Sequence, residues 1–222
     1  MTRCLFVMFT TLLLCAGLCA LPGCQLVGVM VESYQSGSDH EIKAEYRGLE
    51  GKDFAVVVSA DRAIQADQQG LVDYLTEKMT ERLSGHNNSP HPSGYVPARD
   101  VLKYLYDHPG WHSKPLSELA KGLGGVKRLI VVELYEYQLH EPGNQYEWNG
   151  LAAGTLGVVE TDSDLPDDFA FERQVSVKFP DKSGLGPPEI SINAVSTALA
   201  LRFVDRTTWL MYDHREPYKI TY

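Results

Sequence analysis

A chain of 222 residues with 29 acidic against 20 basic side chains carries a formal charge of −9 at pH 7. That balance excludes nucleic acid as a leading partner, because a phosphate backbone is gripped by clustered Lys and Arg, and it gives no attraction to anionic lipid headgroups. The four cysteines, Cys4, Cys15, Cys19 and Cys24, all precede residue 25, so the body has no disulfide framework or thiolate metal site and must rely on a packed core.

The chain opens like a signal peptide. Arg3 supplies a positive charge, an apolar run from Leu5 to Leu14 is interrupted only by Thr10 and Thr11, and the small residues Ala16, Gly17 and Ala20 follow. The leader closes on Leu21-Pro22-Gly23-Cys24, which resembles the lipobox of bacterial lipoproteins, where the final cysteine is lipidated and becomes the new N-terminus. Cys24 follows the small residue Gly23, whereas Cys15 and Cys19 follow leucines, so Cys24 is the lipidation candidate and residues 1–23 are the signal peptide.

Pro22 departs from that pattern, since proline restricts both itself and the residue before it. Two other readings therefore stand beside lipidation. Residues 4–31 form an apolar stretch longer than the ~20 residues of a membrane span, though Pro22-Gly23 would break a helix in its middle. Plain secretion would cut after Ala20, where Leu18 is larger than an A-x-A site prefers. All three place the body outside the cytoplasm, in the cell envelope, facing the periplasm or the exterior. The expected partners are the membrane, through the lipid, and other envelope proteins.

Residues 24–52 read as the lipidated cysteine, a polar tether containing Gln35-Ser36-Gly37-Ser38, and an edge strand marked by Ile42, Ala44 and Tyr46. Residues 53–222 read as one domain. Its first strand is the apolar run 54–59, followed by a helix in which Leu71, Leu75, Met79 and Leu83 recur every four residues. Residues 85–94, rich in His, Asn, Ser and Pro, form a loop. Two short helices follow, over 98–106 with Val101, Leu102 and Leu105 inward and over 116–123, the second capped by Ser113 or Ser117 and ended by the glycines of 122–125.

The strongest strand, 128–139, joins the buried run Leu129-Ile130-Val131-Val132 to an alternating remainder with Tyr135, Tyr137 and Leu139 on one side and Glu136 and Gln138 on the other. Glu141-Pro142-Gly143-Asn144 is turn chemistry, and 146–159 returns antiparallel, with Gly150, Gly154 and Gly157 permitting bulges. After the acidic turn 162–168, Phe169, Phe171, Val175, Val177 and Phe179 alternate with Ala170, Glu172, Gln174, Ser176 and Lys178, a half-buried strand with one solvated face. A final helix over 191–205 turns Ile192, Val195, Leu199 and Phe203 to one side, and the apolar tail with Trp209, Leu210, Met211 and Tyr212 packs back on the domain.

The expected fold is therefore α/β (α+β): a single domain with a central, mostly antiparallel sheet, an N-terminal strand-helix unit and a C-terminal helix packed on it. With residues 54–59, 71–83 and 129–139 as its main carriers, this order resembles the small periplasmic lipoprotein domains of the curli-secretion group, the penicillin-binding-protein activators and the N-terminal domain of the Tol-system propeller protein. Ala44-Glu45-Tyr46-Arg47-Gly48-Leu49-Glu50-Gly51-Lys52 and Leu210-Met211-Tyr212-Asp213-His214-Arg215-Glu216-Pro217 are similar to segments of uncharacterised planctomycete-type lipoproteins. That resemblance implies the envelope setting and adds no mechanism.

Candidate chemistry is sparse. Gly122-Leu123-Gly124-Gly125 closes a helix and opens a strand, the reverse of a phosphate loop. His108 and His112, with Asp107, His86 and His91, offer zinc ligands, but Pro109-Gly110 breaks the helix that would align the first two. Asp162, Asp164, Asp167 and Asp168 carry oxygens suited to calcium without an EF-hand pattern. Glu133, Glu136 and Glu172 are candidates for a carboxylate pair across strands, and Tyr135 with Tyr137 for a groove or protein contact. No G-x-S-x-G elbow occurs. No catalytic residue, cofactor or metal ligand is assigned. The functional expectation is a non-enzymatic interaction or assembly module, with an envelope hydrolase of dispersed site, or a module for a small ligand or glycan, as alternatives.

Overall fold

The computed structural model describes residues 39–85 and 90–217. In chain order the elements are β1 (Asp39–Ile42), β2 (Asp53–Ala60), α1 (Arg62–Asp67), α2 (Leu71–Ser84), β3 (Gly94–Tyr95), α3 (Ala98–Asp107), α4 (Leu116–Gly122), β4 (Arg128–Gln138), β5 (Gly150–Glu160), β6 (Phe169–Phe179), α5 (Ile192–Thr208) and β7 (His214–Pro217). The described residues fall into two compact units, residues 39–41 with 215–217 in one and residues 42–85 with 90–214 in the other. β1 and β7 make a two-stranded sheet. All five strands of the main sheet, in the order β3-β2-β4-β5-β6, lie in the second unit.

β2 runs parallel to β3 and to β4, while β4, β5 and β6 form an antiparallel meander. Parallel neighbours need a long crossover, and the four helices α1 to α4 supply it between β2 and β4. The expected α/β architecture is thus observed, with β4 in the middle of five strands.

Two cores sit on opposite faces. On the first, Leu75, Met79 and Leu83 of α2 and Val195, Leu199 and Phe203 of α5 pack over Val56, Ile130, Val132, Leu156, Val158, Val175 and Val177. On the second, Val101 of α3 and Leu119 and Ala120 of α4 cover Ala55, Val57, Leu129 and Val159. Each fully buried aliphatic side chain contributes roughly 1.5–3 kcal/mol, so the larger first cluster carries most of the stability.

Between α2 and α5 the buried threonines turn their hydroxyls onto their own helices. Thr76 donates to Val72 O, Thr80 to Thr76 O, Thr207 to Phe203 O and Thr208 to Val204 O. Among the described residues no buried side-chain nitrogen or oxygen lacks a partner, which is why hydroxyls are tolerated there.

Several expectations shift. Tyr46 and Leu49 are buried at 8% and 0% exposure, and Tyr46 N donates to Leu210 O, so the stretch read as tether and edge strand is anchored to the domain through these two residues. Its strand, β1, joins β7 rather than an edge of the main sheet. Ile192 is 55% exposed, because α5 starts at that residue and its apolar stripe begins one turn later. Pro115, not a serine, occupies the N-cap of α4. Ser117 N is met instead by Asp167 Oδ1 at 2.8 Å.

The bulges also fall elsewhere than the glycines of β5 suggested. One lies in β4 between Leu134 and Glu136, and a second shifts the β5–β6 register at Val158 and Val159. Gly154 serves close approach: a Cβ there would lie 2.9 Å from the Phe203 ring of α5 and 2.7 Å from Glu133 O.

Candidate functional site

α3 and α4 leave half of the second sheet face bare. Their core reaches Leu129 and Val159 and stops. Beyond it β4, β5 and β6 present Glu133 opposite Thr155 opposite Gln174, then Ala153 opposite Ser176 and Leu151 opposite Lys178. Glu133, Glu172, Gln174, Ser176 and Lys178 are exposed, and Phe169, 43% exposed, lays its ring against Gly157. This is a polar surface bordered by the exposed ring of Phe169.

The β4 bulge decides the tyrosines. An unbulged strand would keep Tyr135 and Tyr137 on one side; the extra residue instead leaves Leu134 opposite Gly154 and Tyr137 opposite Ala152, both on the first core face. Tyr137 is buried, its hydroxyl donating to Ser196 O at 2.8 Å, and burial raises its pKa. Tyr135 is 47% exposed. The expected tyrosine pair is therefore split, one locking α5 and one left at the bare face.

Two clefts flank the sheet. One of 520 Å³ lies between β3, α3 and the turn after α4, lined by Tyr95, Asp100, Lys103, Tyr104, His108 and Gly124. Tyr104 stacks on His108 with centroids 4.2 Å apart, and His108 Nδ1 lies 2.8 Å from Tyr104 O. Its glycine-bearing wall is the 122–125 segment, which turns from helix to strand as expected, with Gly124 at φ 90° and Gly125 at φ 74°. The second cleft, 270 Å³, lies between the start of α2 and Ser196, Thr197 and Ala200 of α5.

A buried cation holds the opposite end of β4. Arg128, with a side chain 6% exposed, donates through Nε to Gly48 O at 2.8 Å and through Nη1 to Lys127 O and to Asp162. Glu160 lies 3.6 Å from its Nε and accepts the Tyr46 hydroxyl at 2.8 Å. Burial, then the Glu160 hydrogen bond, pushes the Tyr46 hydroxyl far above its ordinary range. Hydrogen bonds from Lys52 and Arg128 hold Asp162 down at about 2. Every charge is answered, so the cluster is a clamp joining residues 46–52 to β4 and β5.

The remaining sequence candidates do not converge. Asp162 is spent on Arg128 and Lys52, and Asp167 caps α4, so the acidic turn makes no oxygen cage. His112 stacks on Trp111 with centroids 3.6 Å apart, while His108 faces Tyr104; His86 lies outside the described residues. Among the described residues no group of three or more His, Cys, Asp or Glu side chains is placed to hold a metal. Glu133 and Glu172 share the bare face with β5 between them and a two-residue offset along it. Cys24 and the leader lie outside the described residues, and among those described no helix is long and apolar enough to cross a membrane.

No family model and no curated protein matches the chain. Among solved structures it is similar to lipoprotein GNA1162 from Neisseria meningitidis, at 9% identity, 68% of this chain and 94% of that chain, TM-score 0.42. It is similar to hypothetical protein CT253 from Chlamydia trachomatis, at 12% identity, 70% and 91% coverage, TM-score 0.43. It is also similar to the PelC dodecamer from Paraburkholderia phytofirmans, at 10% identity, 78% and 97% coverage, TM-score 0.38. Likenesses this weak assign no role to this chain.

Proposed function

We propose that this chain is an envelope lipoprotein of the uncharacterised planctomycete type, held to a membrane by lipid on Cys24, whose folded unit is a non-enzymatic contact module. The leader supports the address: Gly23-Cys24 closes an apolar run, and no cysteine follows. The bare half of the second sheet face carries the functional part. A sheet face buried on one side and open on the other is ordinary in antiparallel sheets, but here exposed Tyr135 and Phe169 border it. Partly exposed rings at a polar surface are the anchors that protein interfaces favour.

The test is a photo-crosslinking residue placed at Tyr135 in the full chain, in cells, with exposed Tyr106, 87% accessible on α3, as the control position. The contact reading predicts one discrete adduct at Tyr135 and none at Tyr106. Equal, diffuse labelling at both positions contradicts it.

A second reading, a small-ligand module, is favoured by the 520 Å³ cleft, a volume in the range of ligand sites. Lys103, Tyr104 and His108 would be its polar groups. Ligand-dependent stabilisation abolished by Tyr104→Ala would support this reading.

A further inference from the structure

We propose that β6 pairs edge to edge with β6 of a second copy of this chain, antiparallel and centred on Val175. The inference rests on the contact-module reading and goes beyond it, adding a second contact at the sheet edge whose occupant is another copy of this chain. β6 is the outermost strand of the main sheet and, among the described residues, pairs only with β5; beyond the register shift that sets Phe169 and Phe171 against neighbouring residues of β5, its stretch 171–179 is regular. An edge of that length is a template for another strand unless charges, bulges or prolines blunt it.

The question is whether Lys178 blunts it or matches it. In an antiparallel pair of identical strands, residues facing each other have sequence numbers with one fixed sum, and the ladder closes only when that sum is even. Centring on Val175 sets Glu172 against Lys178 of the second copy and Lys178 against Glu172, with Gln174 facing Ser176 twice. The other side of the ribbon then sets Phe171 against Phe179, Arg173 against Val177 and Val175 against itself. Centring one residue earlier sets Glu172 against Ser176 and Lys178 against Ala170; one residue later sets Glu172 against Pro180 and Lys178 against Gln174. Only the Val175 register pairs the opposite charges directly.

Glu172 and Lys178 cannot satisfy each other within one strand, since six residues of strand span about 20 Å. Both are exposed on the solvated face. Arg173 and Arg202, which lie over the Phe171 and Phe179 rings at 5.7 and 4.8 Å, already hold Glu45 at 2.6 Å and Asp181 at 2.6 Å, so they bring no uncompensated charge to the seam; Arg202 Nη1 also donates to Lys178 O at 2.8 Å, which leaves that carbonyl one lone pair for the ladder. Pro180, which has no N–H to donate, follows Phe179 and ends the pairing where the register runs out. The result is an isologous contact, the same patch on both copies, that joins two five-stranded sheets into one.

A charge-reversal series on the full chain in mild detergent, read as molar mass by sedimentation against concentration, tests this. The native chain is expected to dimerise. Glu172→Lys and Lys178→Glu alone each place like charges opposite one another twice and are expected to weaken the dimer about ten- to hundredfold. The double variant restores opposite charges and regains the native dimer. Circular dichroism of each variant confirms a folded chain, since both side chains lie on the solvated face. A native chain that is monomeric throughout, single reversals that associate like native, or a double variant that fails to recover would each overturn the proposal. Adducts at Tyr135 with a different protein would survive that failure, so the broader contact reading is judged separately.

Discussion

A guanidinium taken out of water must be met on every side, and Arg128 finds its partners in Gly48 O, Lys127 O, Asp162 and Glu160. Asp162, ordinarily near 3.8, is held at about 2 by Lys52 and Arg128. A lowered carboxylate contributes stability that is complete above its unfolded value and is lost as pH falls toward the folded one. Asp162→Asn is therefore expected to cost about 1 kcal/mol at neutral pH, after allowing for solvent screening of a side chain one-third exposed. The gap between native and variant should narrow as pH falls through roughly 4 and close below roughly 2, which denaturant titration at each pH measures. A gap that keeps its neutral-pH size at pH 2 would contradict the clamp. None of this was legible in the sequence, because the Arg128 contacts to Gly48 and Asp162 span 80 and 34 residues. An arginine beside Lys127 at the head of the apolar run 129–132 was the available signal. Gly48 belongs to the same clamp: a Cβ there would lie 2.2 Å from the Tyr46 hydroxyl.

Elements followed periodicity where periodicity was long. The four-residue spacing of Leu71, Leu75, Met79 and Leu83 marked α2, and the alternation of 171–179 marked β6 with its solvated face, whereas the register shift at Val158 and Val159 turns Phe169, expected beside Phe171, onto that solvated face. β3 has two residues and α1 six, too few to show a period, and Gly70 at φ 80° separates α1 from α2. The β4 bulge was invisible for a different reason: Tyr135 and Tyr137 fit a regular alternation equally well, and only the partner strand reveals the extra residue. Deleting Tyr135 should accordingly be tolerated, since Leu134 then precedes Glu136 in an unbroken ladder and Tyr137 keeps its bond to Ser196. Deleting Val132 should abolish cooperative unfolding, because it slips one half of a central strand by one residue and turns its apolar set outward. Thermal melts of the two deletions make the comparison, and equal loss of cooperativity would contradict the bulge assignment.

At the scale of the whole molecule, composition and topology agree on what kind of object this is. A body without cysteine after residue 24 is held by two apolar cores on one sheet, which leave a polar half-face and an edge strand outside both. The fold class was readable because strands, helices and their order follow from local patterns. The bare face was not, because it depends on where α3 and α4 stop. The proposed tether to a membrane depends on lipid at Cys24. The mass of the mature N-terminal peptide tests it most directly: the account predicts a chain that begins at Cys24 and carries acyl chains, whereas an unmodified start at Leu21 or a retained leader would contradict it.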